Sequence, residues 1–248
     1  TMTKFKISNL TRLMMMIIAM SLFVFTSCEE DEPDPDPDPI VEAQVLVDHL
    51  ESTGGKVINN FPVMIKSSDV NDAILATADQ YVIDIRSADD FAAGHIEGAV
   101  NVASGDVLSY YETNNLQDVA TVVIACYSGQ TAAWVTGLMH TMGHTNVKDM
   151  KWGMSSWNEA TSAPWVNKIA AGDEYATQFV TDATDKAAAG DLPTLATGET
   201  EATDILRARV EAIFAEGFGE AKVPAGTVFG ALESYYIVNY WGQDHYDW

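Results

Sequence analysis

The residues with the clearest chemical potential lie in Thr121-Val-Val-Ile-Ala-Cys126-Tyr-Ser-Gly-Gln-Thr131. A mostly β-branched run of five residues delivers a cysteine, a short polar loop follows, and Ala132–Met139 resumes with helical spacing. A strand that ends in a thiol at the mouth of a helix is a way to make reactive sulfur. The loop amides and the positive end of the helix dipole favour a thiolate, or an anion attached to it. Disulfide exchange would want a second thiol in a Cys-x-x-Cys pair, and position 129 is Gly. Metal binding has little support: His140 and His144 are four apart, but Gly143 breaks the helix between them. Neither a metal nor a cofactor is expected.

Positioning such a thiol requires strands that alternate with helices, and the flanking sequence supplies them. Val45–Leu50 before Gly54-Gly55 has helical spacing with a glycine stop, and Phe61–Ile65 is a short extended segment. Ser67-Ser-Asp69 caps a short helix over Val70–Leu75. Tyr81–Ile85 and Thr121–Ala125 are nearly continuous apolar runs, as in parallel strands buried on both faces. Ala99–Val102 and Val147–Met150 are shorter strands, Val107–Tyr111 is helical, and Gly94 and Gly98 mark turns around His95. Val135, Leu138, Met139 and Met142 fall on one face of a helix that Gly143 ends. The expected class is α/β with a mainly parallel central sheet and helices on both faces, and ligands bind such sheets at the carboxyl ends of strands, where Cys126 sits.

Several separated motifs share one order and spacing: Tyr81-Val-Ile-Asp-Ile-Arg86, Phe91-Ala-Ala-Gly-His-Ile-Glu-Gly-Ala99, Asn101-Val102 and Cys126-x-x-Gly129-x-Thr131. Together they resemble the rhodanese homology domain over about residues 57–160. The resemblance implies a three-layer fold and a sulfurtransferase that carries sulfane sulfur as a persulfide on Cys126, with loop amides from Tyr127, Ser128, Gly129, Gln130 and Thr131 cradling the outer sulfur. Hydrogen-bond donors suit the negative charge of a persulfide, Gly129 lets the loop turn inward, and the Thr131 hydroxyl can cap the helix. Asp84 and Arg86 are expected to support the site, pairing with loop amides and a neighbouring carboxylate. His95 is expected to order the Gly94–Gly98 turn and not to act as a base. The related cysteine phosphatases close a longer loop with arginine, and Ala132 and Ala133 stand where it would fall.

Two departures from the family pattern bear on the substrate. Thiosulfate-using members often place basic residues in the loop, whereas Tyr127, Ser128 and Gln130 are uncharged. The Gly129-Gln-Thr131 ending is nearer to the mercaptopyruvate-using branch, so both donors stay open. Lys151-Trp-Gly-Met-Ser-Ser-Trp157 keeps Gly153 and Trp157 but has Trp152 in place of the first of two glycines. Trp152 can wall the sulfur pocket, although burial in the core is the commoner fate of a large aromatic.

Composition and the N-terminus indicate an address. Of 248 residues, 47% are apolar and 20% charged, a globular balance, and the net charge of −23 argues against nucleic acid as a partner. Residues 1–27 carry Lys4, Lys6 and Arg12 before a thirteen-residue apolar run, Leu13–Phe25. That run is too short to span a bilayer and has the form of a signal peptide. Thr26-Ser27-Cys28 resembles a bacterial lipobox, with Phe25 a less usual occupant of a position normally filled by Leu. The resemblance implies cleavage before Cys28, lipidation of Cys28, and a membrane anchor. Loss of the three leader cations would take the charge from −23 to −26 and leave Cys126 as the only free thiol, with no disulfide framework. Glu29–Glu32 and the alternating Pro33–Pro39 run form an acidic tether over 28–44, its proline portion about 20 Å long. Such a run resembles the export signal of some surface lipoproteins and also serves as a plain spacer.

After the domain at 45–165, residues 166–203 have the composition of a linker. Leu206, Val210, Ile213 and Phe214 then form a helical stripe that Gly217 stops. Tyr236–Trp248 aligns on Tyr81–Ala93 without gaps, with Tyr81/Tyr236 and Asp89/Asp244 identical. Residues 204–248 are therefore expected to begin a second rhodanese-like repeat, with a helix at 204–216 and a strand at 235–240 that lack most of their own core and are poorly ordered or packed on the first domain. The expected protein is a lipid-anchored sulfurtransferase of the bacterial cell envelope, on the outer membrane, that uses a small sulfur donor and a thiophilic acceptor. The competing expectation is a binding or scaffolding module with an idle Cys126.

Overall fold

β2 (Gln80–Asp84) and β4 (Thr121–Ala125) are the centre of a five-stranded parallel sheet of order β1-β5-β4-β2-β3. β1 is Met64–Ile65, β3 is Val100–Asn101 and β5 is Val147–Met150. The computed structural model describes residues 41–52, 63–169, 188 and 190–238. The leader, Cys28, most of the acidic tether, the Gly54-Gly55 stop, the middle of the linker and residues 239–248 lie outside the described residues. β2 runs beside β4 with Gln80 opposite Thr121 and Asp84 opposite Ala125, and Ile124 of β4 faces Asp149 of β5. This α/β class with a parallel sheet flanked by helices is the one read from the apolar runs.

Both sheet faces are covered, which is why the central strands carry apolar residues in succession. On one face Ile83, Val122, Ile124 and Val147 pack under α4 (Val107–Thr113), α5 (Gln130–Thr141) and α7 (Ala202–Glu216). On the other, Val82, Val123, Ala125 and Met150 pack with Val70 of α2 (Ser67–Leu75) and with Ile96 and Met154. α1 (Glu42–Ser52) lies along α7. The expected cap of α2 takes another form: its N-cap position is Lys66 with no side-chain bond, and the Ser67 hydroxyl donates to the Ser156 carbonyl at 2.9 Å.

α3 (Ala88–Ala93), α6 (Ala163–Ile169) and the short α8 (Ala225–Phe229) complete the α-helices among the described residues. α7 spans the helical stripe expected to open a second repeat, and its buried face belongs to the first domain. Leu206, Val210 and Phe214 join the same core as Val135 and Met139, and Phe214 meets Trp134 edge-on at 5.4 Å. Arg207 pairs with Glu112 of α4 and with Glu211. The strand expected at 235–240 is not formed in its described part: Tyr236, Ile237 and Val238 are exposed and without regular structure. Free of a neighbouring strand, an apolar run has no ladder to join.

Candidate active site

Cys126 is the first residue past β4, 2% exposed, with its sulfur at the start of α5. The Gly129 N–H donates to Cys126 Sγ at 3.1 Å and the Ala132 N–H at 3.4 Å. Two backbone donors therefore converge on one sulfur, which suits an anion there. Of the five loop residues expected to cradle the outer sulfur of a persulfide, Gly129 makes a hydrogen bond to Sγ itself; the second donor to Sγ, Ala132, lies one position beyond that set. Thr131 is not the cap: α5 begins at Gln130, Gly129 occupies the N-cap, and no side chain bonds there. Gln130 is exposed and Ser128 half-buried.

The loop holds this shape because a second turn is fitted beneath it. The Met154 N–H donates to the Cys126 carbonyl at 2.7 Å, and the Ser155 N–H and hydroxyl donate to the Tyr127 carbonyl at 3.0 and 2.8 Å. Trp152 and Gly153, at φ +66° and +54°, are both left-handed, which tucks Gly153 under the loop. A Cβ on Gly153 would overlap the Cys126 carbonyl and lie 2.9 Å from the Gly129 nitrogen. Gly129, at φ +92°, has the same intimacy in return: its Cβ would come within 3.1 Å of the Trp152 nitrogen. Glycine adopts such paired left-handed positions without steric cost, and this turn has it at 153 but not at 152. Trp152 is 44% exposed, so it does not take the core position expected as the commoner fate.

Tyr127 is tied away from the sulfur. Its hydroxyl donates to Asp90 Oδ2 at 2.5 Å and accepts the Ser87 N–H at 3.2 Å. Ser87 also caps α3, accepting the Asp90 N–H. The Ser87 hydroxyl, followed by the Tyr127 hydroxyl, holds the Asp90 carboxyl below the usual carboxylate range. Ser87 and Asp90 were missed from the sequence, although their three-residue spacing ahead of a helix is close to a capping box and could have marked them.

Asp84 and Arg86 form a buried pair, 1% and 6% exposed. Arg86 Nη2 is 2.7 Å from Asp84 Oδ2, its backbone N–H donates to Oδ1 at 3.0 Å, and Nη2 also donates to the Gly94 carbonyl at 2.7 Å. The carboxylate that Arg86 pairs with is thus Asp84 itself. Asn101 Nδ2 donates to the carbonyls of Asp84 and Arg86 at 2.9 and 3.0 Å. His95 donates from Nδ1 to the Phe91 carbonyl at 2.8 Å and stacks on the Phe91 ring at 3.8 Å. Asp84, Arg86 and His95 shape the turn after β2, and none of these hydrogen bonds or ring contacts reaches Cys126.

A cavity of 460 Å³ lies elsewhere, between α4 and α7, lined by Asp106, Glu112, Arg207 and Phe214 among others. It holds no thiol; Cys126, the free cysteine among the described residues, lies in the loop after β4. Among the described residues no three His, Cys, Asp or Glu side chains gather as a metal would need. His140 bonds the Val147 carbonyl through Nε2 at 2.6 Å, and the His144 ring packs on Tyr111.

Residues 68–160 match the family described as the Rhodanese-like domain. A thiosulfate sulfurtransferase GlpE of Pseudomonas putida (strain GB-1) is 34% identical over 76 residues, 31% of this chain and 67% of that protein. The chain belongs to the rhodanese-like family. A GlpE of Pseudomonas fluorescens (strain SBW25) is 30% identical across 31% of this chain and 68% of its own length. Among solved structures, the human single-domain sulfurtransferase TSTD1 aligns at 15% identity and a TM-score of 0.32, covering 41% of this chain and 96% of that one. The two GlpE proteins are sulfurtransferases by name, and residues 68–160, which match the family, contain β2, β4, Cys126 and the turn beneath the loop.

Proposed function

We propose that this chain is a sulfurtransferase that carries sulfane sulfur on Cys126 and works in the bacterial cell envelope, anchored through a lipidated Cys28. The observation that carries the reading is the convergence of the Gly129 and Ala132 amides on Cys126 Sγ, at 3.1 and 3.4 Å. Nucleophilic attack needs a thiolate, and the product needs donors that hold a terminal sulfur anion. In the first half-reaction Cys126 Sγ attacks the outer sulfur of the donor. The new S–S bond forms as the bond between that sulfur and the rest of the donor breaks, and the leaving group keeps the electron pair. In the second, a thiophilic acceptor attacks the outer sulfur and Cys126 leaves as a thiolate.

Backbone amides, rather than charged side chains, do the holding, because Tyr127, Ser128 and Gln130 bring no charge to the loop. The lipid anchor and tether would place this chemistry at a membrane surface while leaving the domain free to meet diffusible partners. Mass spectrometry of the chain after incubation with thiosulfate or 3-mercaptopyruvate tests the reading. The expected result is the added mass of one sulfur atom on Cys126, absent from Cys126→Ser. No adduct from either donor would replace sulfur transfer with a binding role for the domain.

A further inference from the structure

The Gly129 N–H donates to Cys126 Sγ three positions back, so Tyr127 and Ser128 carry the chain round that turn. Tyr127 is fixed at both ends. Its carbonyl accepts the Ser155 N–H and hydroxyl at 3.0 and 2.8 Å. Its phenol reaches α3, where it donates to Asp90 Oδ2 at 2.5 Å and accepts the Ser87 N–H at 3.2 Å. The Ser87 hydroxyl donates to the same Oδ2 at 2.5 Å and accepts the Asp90 N–H at 3.1 Å. These bonds close a ring through Ser87, Asp90 and Tyr127, in which the two that end on the carboxylate are charge-assisted and each bond polarises the next. Stability alone does not call for such a ring, because Asp90 is exposed, Tyr127 is 38% exposed, and water competes for bonds at the surface. What the ring does is geometric: it joins the residue after the nucleophile to the first turn of α3, from a different side than the support Met154 and Ser155 give from below. The Ser87 hydroxyl and then the Tyr127 hydroxyl hold the Asp90 carboxyl below the usual range, so it stays an ionised acceptor.

We infer that Asp90 is a positioning residue of the Cys126 site: through the Tyr127 hydroxyl it holds the Cys126–Gly129 turn so that the Gly129 and Ala132 amides stay on Sγ. For turnover the inference rests on the sulfur-transfer reading; for the reactivity of the thiol it stands apart from it. The sign of the effect separates positioning from plain electrostatics. A carboxylate near a thiolate repels it, so by charge alone the loss of Asp90 would speed attack by Cys126 on an electrophile. Loss of Asp90 as an anchor lets Tyr127 swing and the Gly129 amide slip, which slows that attack.

The test is the rate at which iodoacetamide alkylates Cys126 in the full chain at fixed pH, read on the Cys126 peptide by mass spectrometry. Asp90→Ala and Tyr127→Phe should each slow alkylation by about five- to tenfold, short of the ~100-fold cost of a 1 Å misplacement because the turn beneath still holds. Tyr127→Phe removes a single oxygen and keeps the test open if Asp90→Ala folds poorly. The double variant should be no slower than either single one, since both remove the same bond. Asp90→Asn keeps an oxygen for the Tyr127 hydroxyl and should recover most of the rate. With thiosulfate as donor and cyanide as acceptor, the loss should fall on kcat and spare KM. Alkylation as fast as wild type or faster in the single variants, or losses that add in the double one, overturns the positioning role whether or not sulfur reaches Cys126. Slowed alkylation that Asp90→Asn recovers, with no sulfur on wild-type Cys126 from thiosulfate or 3-mercaptopyruvate, supports the positioning role and overturns the transfer reading.

Discussion

Gly153→Ala tests whether the loop's shape is set from below. Two costs are separable. The first is conformational: φ at 153 is +54°, where a Cβ meets its own backbone at about 1–2 kcal/mol. The second is contact: the new carbon would overlap the Cys126 carbonyl and stand 2.9 Å from the Cys126 carbonyl carbon and the Gly129 nitrogen. All three are backbone atoms of the loop, so relief means moving the loop itself. That movement strains the bonds from Met154 N–H to the Cys126 carbonyl and from Ser155 N–H to the Tyr127 carbonyl, 2.7 and 3.0 Å long. Each is worth about 1 kcal/mol. The expected loss is roughly 3–4 kcal/mol. Gly143→Ala is the internal control, because Gly143 has φ +89° but nothing within 4 Å of its Cβ position, so only the conformational cost of about 1–2 kcal/mol applies. Urea unfolding measures both variants, and persulfide formation on Cys126 reports whether the amides still converge. Equal losses for the two variants, with persulfide formed as in wild type, would refute the claim that the 152–155 turn dictates the loop.

Asp84→Asn should cost about 3–5 kcal/mol, since it leaves the Arg86 guanidinium buried without its counter-charge; urea denaturation at neutral pH checks it. Phe214→Ala should cost about 3–5 kcal/mol if α7 is part of the rhodanese-like core, and a loss below about 1 kcal/mol would show that helix to be an appendage. Asp149 supplies a pH signature. Burial pushes its carboxyl up to about 6 from 3.8, and Oδ1 finds no hydrogen-bond partner among the described residues. The folded state therefore holds the proton more tightly than the unfolded chain, and Asp149 takes stability away as pH rises from about 4 through 6. Asp149→Asn should gain roughly 1–3 kcal/mol over wild type at pH 7.5 and almost nothing at pH 4, measured as the difference between paired urea curves.

The parts of the fold that were legible in the sequence are those whose pattern has only one solution. Val122, Val123 and Ile124 are apolar in succession, and only a strand covered on both faces buries all three. Cys126 could be placed at the carboxyl end of that strand because the apolar run stops at Ala125. α7 was harder for a definite reason. Leu206, Val210 and Phe214 mark a face by their spacing, but a stripe does not state what it packs against. As the start of a repeat short of its own core, α7 was expected to be poorly ordered or to pack on the first domain, and its spacing could not choose between the two; Leu206, Val210 and Phe214 join the core under α4 and α5. Asp149 was equally silent: a charged residue inside a short strand next to Lys148 looks solvated, and only the position of β5 between β1 and β4 buries it.

The site divides in the same way. The place of Cys126 at the end of its strand was legible and the support beneath it was not, because that support is carried mostly by backbone groups that have no sequence signature. Met154 acts through an N–H any residue could offer, Ser155 adds its hydroxyl to such an N–H, and Ala132 reaches the sulfur through its amide alone. Side-chain identity constrains this layer only where a Cβ is forbidden or tolerated at a price. Gly129 and Gly153 are the forbidden cases, each pressed against the other's turn. Trp152 is the tolerated one, and it is informative for that reason: the turn admits a large residue at φ +66° without needing it. A residue that strains its own backbone and stays 44% exposed is not held there by burial, so its replacement by Gly should spare the fold.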